Sequence, residues 1–123
     1  MLIAAAWLYA LLALVLVLFQ LALAFGAPWG HLAMGGRWPG RFPVRLRLGA
    51  VLQGALIALF ALVVLGRAGA VSPAPPGWLF WIAVVFAAIS AVMNLITPSI
   101  PERRLWGPVA LLMLIAILRV AYG

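Results

Sequence analysis

Four long apolar runs, each interrupted by very few polar side chains, alternate with three polar connections along this chain. The first run extends from Ile3 to Gly26 and holds one strongly polar residue, Gln20. The second, Leu48 to Gly66, holds Gln53; the third, Trp78 to Pro98, holds Ser90 and Asn94. The fourth runs roughly from Leu105 to Tyr122, with Arg119 near its end. Each is about 18–24 residues long, and about 20 helical residues cross a bilayer core. Buried strands would be shorter and β-barrel strands would alternate, so the pattern predicts helices. The expected fold is all-α: an integral membrane four-helix transmembrane bundle forming one domain over residues 1–123. Ala22-Leu23-Ala24 has the form of a signal cleavage site. However, Met1-Leu2 supplies no positive side chain and the run is too long for a signal peptide, so a membrane helix is expected there.

Composition agrees with this reading. The 123 residues are 69% hydrophobic and 7% charged, far from the quarter or so charged that soluble domains carry. The net charge is +7, with Glu102 the only acid. On a soluble chain that balance would point to nucleic acid. Here the basic residues edge apolar spans, so the expected partners are membrane lipids, including anionic headgroups, and not nucleic acid. A homo-oligomer or a partner membrane protein is a further possibility. Arg without any Lys, amid abundant Ala, Gly and Pro, fits a GC-rich bacterial genome.

The eight Arg residues are unevenly placed. Arg37, Arg41, Arg45, Arg47, Arg103 and Arg104 lie in the first and third connections, and only Arg67 and Arg119 lie elsewhere. The positive-inside rule then puts the first and third connections in the cytoplasm, and both termini and the second connection outside a bacterial inner membrane. Arg67 and Arg119 fall at the outer helix ends, where they can snorkel to the headgroups.

Small residues at four-residue spacing predict where helices approach one another. These are Ala50, Gly54 and Ala58 in helix 2, and Ala83, Ala87 and Ala91 in helix 3, while helix 1 offers Ala6, Ala10 and Ala13. Ser99-Ile100-Pro101-Glu102 has the form of a capping box, so helix 4 begins either near Ile100, with Pro108 kinking it, or near Trp106. Trp7, Tyr9, Trp78, Trp81, Trp106 and Tyr122 suit interfacial aromatic belts.

Candidate chemistry is sparse. There is no Cys, no Asp and no Lys, and a single His. A Ser-His-Asp triad and paired carboxylates within one protomer are therefore excluded, and His31 with Glu102 supply too few ligands for an ordinary metal site. No catalytic residue, metal or cofactor is expected. Gln20, Gln53 and Asn94 share one depth, roughly 6–9 Å from the cytoplasmic interface at about 1.5 Å per residue. They either hydrogen-bond one another and fix helix register, or line a small polar pocket open to the cytoplasm, with Arg37, Arg41, Arg103, Glu102 and His31 around its mouth.

The first connection, Ala27 to Arg47, carries three Pro, two Trp, the only His and four Arg. It is far longer than the two to eight residues that join bundle helices. It reads as an ordered cap over the inner helix ends or as a loose loop, with Trp29, Trp38 and Phe42 dipping into the interface. Glu102 is expected to cap helix 4 or to pair with an Arg, and His31 to be a turn residue.

Several stretches together resemble a group of small, uncharacterised bacterial four-helix integral membrane proteins. They are Gly26-Ala27-Pro28-Trp29-Gly30, Gly35-Gly36, Pro43-x-x-Leu46-Arg47, Asn94 with Ser99-x-x-Glu102-Arg103, and Trp106-Gly107-Pro108-Val109. The resemblance implies the four-helix fold and directs attention to the cytoplasmic side. It implies no activity. Small multidrug transporters place a Glu in helix 1, which this chain lacks, and fluoride channels break helix 3 in a way Trp78 to Pro98 does not. The leading expectation is a non-enzymatic protein that binds a lipid, a small ligand or a partner membrane protein. An oligomeric channel or transporter, and a lipid-modifying enzyme using His31 and Glu102, are the alternatives.

Overall fold

The computed structural model describes residues 2–123 and contains no strand among them. Four helices carry the fold: α1 (Leu2–Ala24), α2 (Val44–Arg67), α3 (Gly77–Ile96) and α4 (Ile100–Tyr122). All four are long and apolar enough to cross a membrane, as expected of a multi-pass membrane protein. Two single turns of 3-10 helix, Gly30–Leu32 and Met34–Gly36, punctuate the first connection.

The helix ends follow local chemistry. α1 stops in a Schellman motif: Gly26 N–H donates to Leu23 O at 3.1 Å and Ala27 N–H to Ala22 O at 2.9 Å. The motif needs a left-handed residue, and Gly26 supplies it with φ of 93°. α2 ends the same way, with Ala70 N–H donating to Leu65 O at 2.9 Å. α2 begins at Val44, ahead of the expected Leu48, and so contains Arg45 and Arg47. α4 likewise begins at Ile100 and contains Arg103 and Arg104. A hydropathy run stops at the last charge, whereas a backbone hydrogen-bond ladder continues wherever its side chains can reach water. Pro108 lies inside α4, where it leaves the Arg104 carbonyl without its helical donor.

Neighbouring helices run antiparallel. At the end bearing the long first connection, the cap end, Phe19 of α1 stacks on Trp106 of α4 with ring centroids 4.8 Å apart. At the opposite, hairpin end, Trp81 of α3 meets Tyr122 of α4 at 6.0 Å. There the Arg67 guanidinium lies 4.6 Å above the Phe80 ring, a cation–π contact.

Small residues set the close approaches, as packing without a hydrophobic driving force requires. Ala83, Ala87 and Ala91 are all buried, as are Ala6 and Ala13. A Cβ added at Gly54 would stand 3.4 Å from the Gln20 Cβ, so α1 and α2 touch at that point. The α2 stripe does not continue to Ala58, which is exposed because the helix has rotated away from its neighbour by then. α1 packs extensively on α2, and α4 packs on both α1 and α3, but α2 and α3 touch little despite their short connection. Most buried apolar residues fall into two groups. The larger, including Tyr9, Phe60, Phe80 and Ile117, fills the middle and the hairpin end. The smaller, at the cap end, comprises Phe19, Leu23, Phe42, Ala50 and Trp106.

Candidate functional site

The first connection is tied down along its length. Gly30 N–H donates to Gly40 O at 2.9 Å, which closes the segment on itself. Only glycine fits at that position, because an added Cβ would lie 1.8 Å from the Trp38 carbonyl oxygen. Phe42 is buried with Phe19 and Trp106, not spread in an interface. Three hydrogen bonds then join the segment to the start of α4. Ser99 Oγ donates to His31 O at 2.7 Å. The Trp106 indole N–H donates to Leu32 O at 3.0 Å. Gly35 N–H donates to the Glu102 carboxylate at 2.9 Å.

The capping box is thus only half made. Ser99 Oγ accepts from Glu102 N–H at 3.3 Å, as the motif requires. The reciprocal bond is absent: Ser99 N–H turns to Thr97 Oγ1 instead, and the Glu102 carboxylate reaches across to the loop. Met34 and Gly35 are both left-handed, with φ of 51° and 71°, and this turn aims the Gly35 N–H at the carboxylate. Glu102 is 7% exposed and makes no ion pair among the described residues.

Between the two apolar groups lies a cavity of about 830 Å³. Its floor is apolar, formed by Leu16, Ile57, Ala87 and Met113 with Tyr9 among them. Phe19, Phe42, Trp106 and Ala110 wall it toward the cap end, and Leu32 to Gly35 of the loop close over it. Gln20, Gln53 and Asn94 all line it, together with Ser90, Thr97, Arg37 and Glu102. The span from Tyr9 to Gln20 gives it a length of roughly 16 Å at about 1.5 Å per helical residue.

The three amides do not bond to one another. Asn94 Nδ2 donates within its own helix, to Ser90 O at 2.7 Å and Ser90 Oγ at 3.3 Å. Gln20 and Gln53 form no side-chain hydrogen bond among the described residues, and both are half-buried. No fully buried side-chain polar atom lacks a partner, so these amide ends open onto accessible space and not onto closed protein. Interhelical amide bonds are therefore not what holds the register here.

Of the eight site residues expected from sequence, five line the cavity: Gln20, Gln53, Asn94, Arg37 and Glu102. The other three stand outside it. Arg41 Nε donates to Gly26 O at 2.9 Å, and Arg103 donates to Thr97 O through Nη2 at 2.7 Å. Both guanidiniums brace the carbonyl end of a helix, where positive charge is favoured. His31 contributes its backbone carbonyl, and its side chain makes no hydrogen bond to Glu102. Sequence reasoning assigned Tyr9 and Trp106 to interfacial belts, but both are buried and line the cavity. Their burial follows from the Ala6–Tyr9–Ala13 face of α1 and from the Phe19 contact, which hydropathy alone does not distinguish from a lipid-facing stripe.

No family model, no curated relative and no solved structure matches this chain.

Proposed function

We propose that this chain is a small bacterial inner-membrane protein that binds an amphipathic ligand, a lipid or a small molecule with an apolar body, without chemical catalysis. In this reading the first connection and the α3–α4 turn face the cytoplasm and both termini face outward, following the Arg distribution. The observation that carries the binding role is the convergence of Gln20, Gln53 and Asn94, from three helices, on one cavity with an apolar floor. A volume of about 830 Å³ lies within the 300–1,000 Å³ typical of ligand sites. An apolar chamber with a few polar groups at one end suits a molecule of the same polarity pattern.

Two features weigh against the other readings. Beyond Tyr9 and Met113 the interior is filled by packed apolar side chains, so the chamber is blind within one protomer. A lipid-modifying acid–base pair would need His31 and Glu102 within reach, but the Glu102 carboxylate is already engaged by Gly35. The residues on which the family resemblance rests include Gly30, Gly35, Ser99, Glu102 and Trp106, the very residues that shape the loop and pin it to α4. Kinship with that group would then reflect a shared cap. Replacing Gln20, Gln53 and Asn94 singly by Leu tests the binding role: folded protein with reduced ligand occupancy supports it, and unfolding on any one replacement returns the amides to a structural task.

A further inference from the structure

A second hollow, of about 240 Å³, adjoins the cavity and is lined by Gln53, Phe86, Ile89, Ser90, Met93 and Asn94. All of these except Ile89 also line the cavity itself. Ile89 and Met93 are 58% and 59% exposed, so the hollow lies on the outer surface of the helices. It sits between α2 and α3, the sequence neighbours that touch little. The two spaces share five lining residues at this loosely packed seam, one reaching the interior and the other the outer surface, which makes the seam the candidate for a lateral slit.

Arg37, an exposed residue of the loop, borders the mouth of the cavity at the cap end, and its side chain makes no hydrogen bond among the described residues. The one carboxylate nearby, Glu102, is turned to the Gly35 N–H. The cavity therefore offers two uncommitted amides and a long apolar floor, with an uncommitted Arg37 at its mouth, in a chain of net charge +7. A forked guanidinium matches phosphate oxygens through paired hydrogen bonds. With a volume of about 830 Å³ and an apolar floor, the cavity has room for an acyl chain.

Building on the binding role above, we propose that the ligand is an anionic phospholipid that enters sideways from the bilayer through the α2–α3 slit. One acyl chain lies in the cavity toward Tyr9 and Met113, the phosphate meets Arg37, and the second chain stays outside against Ile89 and Met93.

The test uses the full chain reconstituted in vesicles of phosphatidylcholine alone, with phosphatidylglycerol, or with oleate, followed by native mass spectrometry of the retained lipid. Phosphatidylglycerol is expected to be retained about tenfold over phosphatidylcholine, because both carry the phosphate but only the choline lipid brings a cation that repels Arg37 and offsets the phosphate charge. Arg37→Gln should remove that preference while a lipid remains bound. Ser90→Trp, or Ile89→Trp on the outer side of the slit should the first not fold, is expected to slow exchange of the retained lipid about tenfold or more. Equal retention of the two phospholipids, oleate retained in place of them, or unchanged exchange in a folded slit variant overturns this proposal while leaving an amphiphile-binding role standing. No amphiphile retained from any vesicle overturns both.

Discussion

Glu102, the only acid in the chain, accepts a hydrogen bond at 2.9 Å from the backbone N–H of Gly35, 67 positions earlier in the sequence. A bond to a carboxylate is worth about 1.5–3 kcal/mol, more than an ordinary hydrogen bond. Its partner is a main-chain group presented within a run of three consecutive left-handed residues, Met34 to Gly36, so the loop conformation and the α4 start specify each other. Glu102→Ala is expected to lower stability in detergent by about 2 kcal/mol and, by loosening the loop, to speed tryptic cleavage at the already exposed Arg37 and Arg41. Glu102→Gln keeps an acceptor oxygen and should fall between wild type and Ala. Thermal melts with limited proteolysis check both.

Gly30 carries a different constraint. Any side chain there meets the Trp38 carbonyl, so Gly30→Ala must displace the 30–40 closure. The larger apolar group does not include this segment, and the helices should remain assembled. The expected result is a nearly unchanged helical circular dichroism signal with altered tryptophan fluorescence and faster amide exchange confined to residues 28–42. Loss of helicity would mean that the cap is needed to hold the bundle.

Removing the amides should cost little stability. None of Gln20, Gln53 and Asn94 bonds across helices, so each Leu replacement is expected to change stability by under about 1 kcal/mol. Ligand occupancy should drop in each case. A loss well above that in any variant would reveal an interhelical bond.

Much of this arrangement was legible before the structure. The apolar runs gave four helices because hydropathy over about 20 residues is itself the physical requirement for spanning. The common depth of the three amides was legible, since rise per residue converts position into height, but whether they bond one another or border a hollow was not, because that depends on side-chain direction. Rotation about each helix axis was harder to read. In helices apolar enough to span a membrane, both faces are hydrophobic, so Tyr9 and Trp106 could not be told from belt residues, nor Ala58 from the buried stripe. Loop partners were illegible for another reason. The Gly35–Glu102 and Leu32–Trp106 bonds join main-chain groups to side chains, and backbone partners leave no mark in residue type.

The absence of cysteine makes the proposed orientation directly measurable. Ser72→Cys in the α2–α3 connection should react with a membrane-impermeant maleimide added to intact cells, and Arg104→Cys only after the membrane is opened. The reverse pattern would place the Arg-rich cap outside.

Native mass spectrometry on the protein extracted with its own lipids tests the binding role most directly, with wild type and Met113→Trp compared side by side. Met113 is a floor residue at 6% exposure, and the larger ring fills the space where an apolar body would lie. Wild type should carry a discrete amphiphile mass, and Met113→Trp, folded to the same extent, should lose it. A bare wild-type mass, or an adduct that survives equally in Met113→Trp, would contradict a ligand seated in this cavity.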